Sequence, residues 1–262
     1  DLTTIRYRNP TKNPIIFWLK QRVYIWVMKR VARKSDQLIS ISNFVGQDIA
    51  QYAGVPLSKI TTTHEAADPF DEPEQEMPFW ANKQFILGDG RPRPHKNLER
   101  QIQAFELLLK KHPDLYVMLT GKKDASAAIF EQKIADMGLA ERIILTDFVP
   151  DGQLRWAMSH CQAYIWASLS EGFGLIPLEA MLNGAPVASS NATCMPEVLG
   201  DAAHYFDPYD VTDMARVIDE VVSNKALQQD LIAKGKKQVA SYSWERMART
   251  TLDVYNLALK ND

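Results

Sequence analysis

The densest set of groups able to do chemistry is one run of twelve residues, Ser168-Leu-Ser-Glu-Gly-Phe-Gly-Leu-Ile-Pro-Leu-Glu179. Gly172 and Gly174 let the backbone approach a ligand with no side chain in the way. The run follows an apolar segment and enters a helical pattern. The amides of Gly172, Phe173, Gly174 and Leu175 would then sit at a helix N-terminus, which binds anions. Glu171 precedes the turn, and Glu179 is expected in the first helical turn, where each carboxylate can accept hydrogen bonds from hydroxyl groups. Anion donors flanked by two such carboxylates suit a diphosphate joined to a ribose and a sugar. The plainer reading is a tight strand-to-helix turn in which Glu179 only complements the helix dipole, worth about 0.3–1 kcal/mol. A lone Glu-Gly-Phe-Gly would not decide between them; the whole string favours the site.

A second segment, Gly88-Asp-Gly-Arg-Pro-Arg-Pro-His-Lys-Asn97, places Arg91, Arg93 and Lys96 on one loop. A pyrophosphate leaving group needs such cations. Alone this would be a solvated basic loop. Beside the first segment, Arg91 and Lys96 are assigned to phosphate and Arg93 to the surface. The five histidines are scattered without metal-ligand spacing, and no Asp-x-Asp occurs. No metal and no cofactor beyond the donor substrate are therefore expected. The fingerprints of P-loops and of dinucleotide sites are also missing.

These segments need a frame that brings them together. From Lys83 onward apolar runs alternate with helical patterns. Strands are predicted at Phe85–Gly88, Leu115–Thr120, Arg142–Phe148, Ala163–Ala167, Pro186–Ser190 and His204–Phe206. Helices are predicted at Leu98–Lys111, Ala125–Met137, Gly152–Cys161, Ile176–Asn183, Val211–Ser223, Lys225–Ala240 and Trp244–Leu259. This is an α/β pattern: a Rossmann-like parallel sheet with helices on both faces, whose ligands bind at the carboxyl ends of the strands. Earlier in the chain a long aromatic helix (Phe17, Trp18, Tyr24, Trp26) precedes a strand at Gln37–Ser42. A helix at Asn43–Ala53, capped by Ser42 or Asn43, and a strand at Ile60–Thr63 follow. Asp68–Pro78, rich in proline and acidic residues, reads as a linker.

The net charge of −2 excludes the strong basic excess of a nucleic-acid binder. Two cysteines, Cys161 and Cys194, point to a reducing, cytoplasmic compartment. Pro14–Val31 is interrupted by Lys20, Arg22, Lys29 and Arg30, so it does not read as a membrane span. Its basic aromatic character also suits a helix lying on the inner face of a membrane, although packing against a sheet is the favoured reading.

With these residues in view, the chain resembles glycosyltransferase family four, retaining enzymes of the two-Rossmann-domain (GT-B) architecture. The matching residues are Gly90-Arg91 with Lys96-Asn97, Glu171 to Glu179, Gly184-Ala-Pro-Val, Glu197, Asp207-Pro with Asp210, and Ser243-Trp244-Glu245. Ser35-Asp36 into Ile39–Asn43 is similar to the last strand of the family's N-terminal domain. The resemblance implies that Glu171 contacts hydroxyls of the transferred sugar and Glu179 the ribose. It implies that Gly90, Arg91 and Lys96 serve the diphosphate, and that Gly172, Phe173, Gly174 and Leu175 donate amides with Ser170 beside them. Phe148 and Val149 would meet the base. Glu171, Arg91 and Lys96 would carry the reaction.

Three parts are expected: residues 1–74 as a remnant of the acceptor-side domain with its linker, 75–243 as the nucleotide-sugar domain, and 244–262 as a helix crossing back. The partners implied are a nucleoside diphosphate sugar, with mannose on guanosine diphosphate as first candidate, and a glycan or lipid-linked acceptor in surface polysaccharide synthesis. Two departures stand out. Glu65-Ala-Ala-Asp68 replaces the family's Asn-Gly-Val-Asp, and the family's glycine-rich loop and active-site histidine are not found, Asp1 being similar to the residue just after that histidine. The chain alone is thus expected to bind donor without transferring sugar, and to self-associate through its aromatic helix. The competing reading is an inactive nucleotide-sugar-binding module. A GT-B epimerase has no motif here.

Overall fold

The computed structural model describes residues 2–7, 13–124 and 126–260. Asp1 and the expected helix start at Ala125 lie outside them. The chain begins with α1 (Thr3–Arg6), α2 (Pro14–Lys34), β1 (Leu38–Ser40), α3 (Asn43–Ala53) and β2 (Ile60–Thr62). There follow β3 (Gln84–Asp89), α4 (Leu98–Lys111), β4 (Leu115–Thr120), α5 (Ala127–Asp136), β5 (Ile143–Leu145), α6 (Asp151–His160) and β6 (Tyr164–Trp166). The remainder is α7 (Leu175–Leu182), β7 (Val187–Ser190), α8 (Met195–Leu199), β8 (Ala203–Phe206), α9 (Val211–Ser223), α10 (Lys225–Ala240) and α11 (Trp244–Leu259).

The six strands from β3 onward form one sheet in the order β5-β4-β3-β6-β7-β8, and every pair is parallel. The chain builds outward from β3 to β5, then returns to lay β6 on the other side of β3. That reversal makes the carboxyl ends of β3 and β6 a topological switch point, where sheets of this kind bind ligands. The two segments singled out above follow these two strands.

Alternation along the strands explains why the sheet is covered on both faces. Ile86, Val117, Leu119 and Ile165 join Ile102, Phe105, Leu108 and Leu109 of α4, with α9, in one buried layer. Phe85, Leu87, Met118, Tyr164 and Trp166 face the other way, against Trp156, Leu178 and Met195. The apolar spacing of α4 is what docks it. β1 and β2 form a separate parallel pair packed on α3. Ser42 rather than Asn43 is the N-cap of α3, accepting from Val45 N.

Several boundaries correct the sequence reading. β5 stops at Leu145, because Asp147 Oδ1 accepts the amides of Lys123 and Phe148 and bends the chain out of the sheet. α7 begins at Leu175, so Glu179 stands in its second turn, not its first. α1 and α8 were not foreseen. The acidic linker lies against α6: Gly152 N donates to Glu72 Oε2, and Gln75 N donates to the Gly152 carbonyl. α11 starts beside Thr62, Thr63 and His64, which share a small cavity with Ser243 and Arg246. Trp18 and Trp26 on α2 are exposed and Phe17 is half-buried. Among the described residues no helix is long and apolar enough to cross a membrane.

Candidate functional site

β3 ends in Gly88-Asp89, and the backbone at Gly90 just beyond it leaves no room for a side chain. A Cβ on Gly90 would lie 2.9 Å from the Leu119 carbonyl oxygen of β4. The loop beyond closes on the neighbouring one through Leu169 N, which donates to the His95 carbonyl at 2.7 Å. This draws Lys96 under the turn that carries Glu171.

Lys96 is the electrostatic centre. Its side chain is only 10 % exposed, and its ammonium lies 3.0 Å from Glu171 Oε1 and 3.1 Å from Asp89 Oδ2. It also sits 3.9 Å from the centre of the Trp166 ring, a cation–π contact. The Asp89 contact is ionic but off the hydrogen-bonding direction, so Oδ2 has no hydrogen-bond partner among the described residues. Asp89 Oδ1 accepts the amide of Arg91 at 2.9 Å. Asp89 was not among the residues singled out from sequence; the only signal was an acid between two glycines at the end of a buried strand.

Arg91 extends outward, 57 % exposed, into a cleft of about 420 Å³ that it shares with Asp89, Thr120, Lys122, Phe148, Val149 and Glu179. Phe148 is 72 % exposed at this cleft, and Val149 is buried. Glu179 reaches the cleft from α7. Burial, and then the charge of Asp151, push its carboxyl above the ordinary 4.5. Arg93 is exposed, with Asp124 at 3.9 Å.

The turn between Glu171 and α7 is built from its two glycines. Gly174 has φ 110° and is the N-cap of α7 without any side-chain cap, so the first amides of the helix lack intrahelical acceptors. Gly172, Phe173 and Gly174 are buried and Leu175 half-buried. Ser170 is occupied: its hydroxyl meets that of Thr3 at 2.8 Å. The structure thus brings Gly90, Arg91, Lys96, Glu171 and the Gly172–Leu175 turn to one edge of the sheet, with Phe148, Val149 and Glu179 in the adjoining cleft. His112 pairs with Asp219 and His204 with Glu220 away from the site, His64 pairs with Glu197 with its ring 6.0 Å from that of Phe173, and His95 lies on the basic loop. No cluster of three metal-ligating side chains occurs among the described residues.

One pH dependence follows from Glu179. A carboxyl whose folded-state pKa is raised disfavours folding once ionised. That penalty is full above the raised value and absent below the unfolded one. Glu179→Gln is therefore expected to raise the melting temperature at pH 7, and the advantage should shrink as the pH falls through the raised value toward 4.5. Thermal melts of both proteins from pH 4 to pH 8 check this; a difference that is flat across the range would contradict it.

The strand order, with these loops at its switch point, defines a Rossmann-like α/β unit. Residues 71–238 match the family described as glycosyl transferases group 1, and the chain belongs to it. It is 29% identical over 240 residues to the serotype-specific mannosyltransferase WbdA of Escherichia coli, covering 87% of this chain and 29% of that protein. It is 29% identical over 230 residues to O-antigen chain mannosyltransferase B of Escherichia coli, covering 84% of this chain and 60% of that one. The chain therefore spans less than two thirds of these relatives. Among solved structures, sucrose-phosphate synthase from Thermosynechococcus elongatus superposes with a TM-score of 0.78 at 17% identity, covering 100% of this chain and 67% of that one. Anabaena Alr3699/HepE in complex with UDP and glucose gives 0.76 at 17% identity, covering 90% and 67%.

Proposed function

We propose that this chain carries the donor-binding half of a retaining hexosyltransferase that uses a nucleoside diphosphate sugar. The observation that carries this is Lys96, held between Asp89 and Glu171 beside a cleft bearing Arg91 and Glu179. A diphosphate entering there meets Arg91, Lys96 and the Gly172–Leu175 amides, and displaces one carboxylate from the ammonium. Glu171, released, is free to accept hydroxyls of the hexose. Glu179 takes the ribose, and Phe148 and Val149 the base. These groups position the donor and offset the charge that builds on the departing phosphate, where preorganised dipoles act most strongly. No divalent ion is required, since two cations and a helix N-terminus supply its charge. In retention the departing phosphate itself deprotonates the acceptor hydroxyl on the same face.

The relatives' names favour mannose as the hexose and a glycan or lipid-linked glycan of a surface polysaccharide as acceptor; guanosine diphosphate is our first candidate for its carrier. The exposed aromatic and basic face of α2 supports self-association or contact with the inner face of a membrane. The test is incubation of the chain, alone and joined to the acceptor-side domain of a relative, with α-linked nucleoside diphosphate hexoses, an oligomannose acceptor and a chelator, followed by anomeric analysis of the product. An α-linked product formed without metal is expected from the joined protein, and donor binding without turnover from the chain alone. A β-linked product would overturn retention, and donor binding without turnover in the joined protein as well would favour the inactive binding module.

A further inference from the structure

The donor turn is held from behind by residues distant in sequence. Cys194 Sγ lies 3.3 Å from the Glu171 carbonyl oxygen and 3.2 Å from that of Phe173. Ser42 Oγ donates to the Gly172 carbonyl at 2.7 Å. Three successive carbonyls are thereby engaged. In a planar trans peptide the C=O and the N–H that follows it point in opposite directions. Fixing these oxygens turns the amides of Gly172, Phe173 and Gly174 away from Ser42 and Cys194. Burial pushes the Cys194 thiol up to about 12, so it keeps the proton it donates.

Ser42 differs from Cys194 in where it comes from. It belongs to the segment of β1, α3 and β2, not to the sheet that holds the donor turn. Its Oγ already accepts the Val45 amide as N-cap of α3 at 3.2 Å, which leaves the hydroxyl proton for Gly172. The same helix end is gripped by Glu197 of α8. Its Oε1 and Oε2 accept the amides of Asn43 at 2.7 Å and Phe44 at 2.9 Å, and Oε1 lies 2.8 Å from His64 Nε2. One carboxylate thus seats the N-terminus of α3 against the back of the donor turn.

We propose that Ser42 is a positioning residue for the donor diphosphate: its bond to the Gly172 carbonyl aims the Phe173 amide at the phosphate, so that docking of α3 on the sheet and capture of the donor are coupled. This rests on the donor-site reading above. Ser42 touches no part of the ligand, and its effect must therefore appear in phosphate recognition and not in recognition of the base or ribose.

The experiment compares guanosine with GDP, and uridine with UDP, by NMR titration of the unsubstituted chain, Ser42→Ala, Ser42→Gly and Ser42→Thr. Glycine is nearly as good an N-cap as serine, so Ser42→Gly removes the hydroxyl with little cost to α3. Losing one oriented donor is expected to weaken the diphosphate by about 3- to 10-fold in Ser42→Ala and Ser42→Gly. Nucleoside affinity should stay unchanged, and Ser42→Thr should restore the diphosphate. Equal diphosphate affinity in all four proteins overturns the proposal, as does a parallel loss for nucleoside and diphosphate, which would mark a merely structural role. If the unsubstituted chain binds nucleoside but no diphosphate, the donor-site reading itself fails.

Discussion

Lys96→Met is expected to lower the affinity for a nucleoside diphosphate by more than about 100-fold, the largest single effect in the site, because it removes a desolvated cation from charge-assisted bonds. Methionine matches the length of the lysine stem but carries no charge, so the cation–π contact with Trp166 is lost as well. What it removes is the charge between Asp89 and Glu171, which stand 3.1 Å and 3.0 Å from the ammonium. The two carboxylates are then left facing each other and the incoming phosphates. Breaking a buried pair from one side costs about 3–5 kcal/mol. Glu171 keeps some solvent access, so the lower end of that range applies, a drop of very roughly 6–12 °C in melting temperature for a domain of this size. Adding Glu171→Gln to Lys96→Met should recover part of the stability but none of the diphosphate affinity. Calorimetry and thermal melts of the single and double variants check both. Unchanged diphosphate affinity in Lys96→Met would contradict the role given to this residue.

The second large effect separates the two glutamates. Glu179→Ala is expected to weaken a nucleoside diphosphate and its sugar conjugate alike, by about 10-fold or more, since a hydrogen bond to a charged group contributes ~1.5–3 kcal/mol. Glu171→Ala is expected to weaken chiefly the sugar conjugate, because the hexose is the part absent from the plain nucleotide. The geometry supports the division. Glu179 lines the cleft with Phe148 and Val149, while Glu171 lies at the Lys96 ammonium. Titrating each variant with a nucleoside diphosphate and with its hexose conjugate reads the difference. Equal losses of plain nucleotide affinity in both variants would contradict the assignment.

Much of this architecture was legible because local pattern and tertiary role agree. α4, β4, α9, α10 and α11 fall where their apolar spacing and punctuation place them. The glycines and glutamates between Glu171 and Glu179 stood out because their spacing suggests a mechanism, but Glu179 falls one turn later in α7 than that spacing implied. Other features depend on partners that no local window contains. α8 is five residues long with Pro196 at its second position, too short for a period to show. Phe148 extends the apolar run of β5, but Asp147 turns the chain away by binding two amides. Asp89 reads as a turn residue until Lys96 is brought against it. Ser42 reads as a helix cap, which it is, while its bond to Gly172 spans 130 positions of sequence.

In the proposed site at the β3–β6 switch point, a nucleoside diphosphate is held through Arg91, Lys96 and the Gly172–Leu175 amides, with no metal ion. Isothermal titration of the chain with GDP and UDP, each with magnesium and then with excess chelator, tests it most directly. The account predicts saturable binding of at least one nucleotide, with the same affinity in both conditions and a steep loss in Lys96→Met. Binding that vanishes with the chelator and returns with magnesium would contradict it.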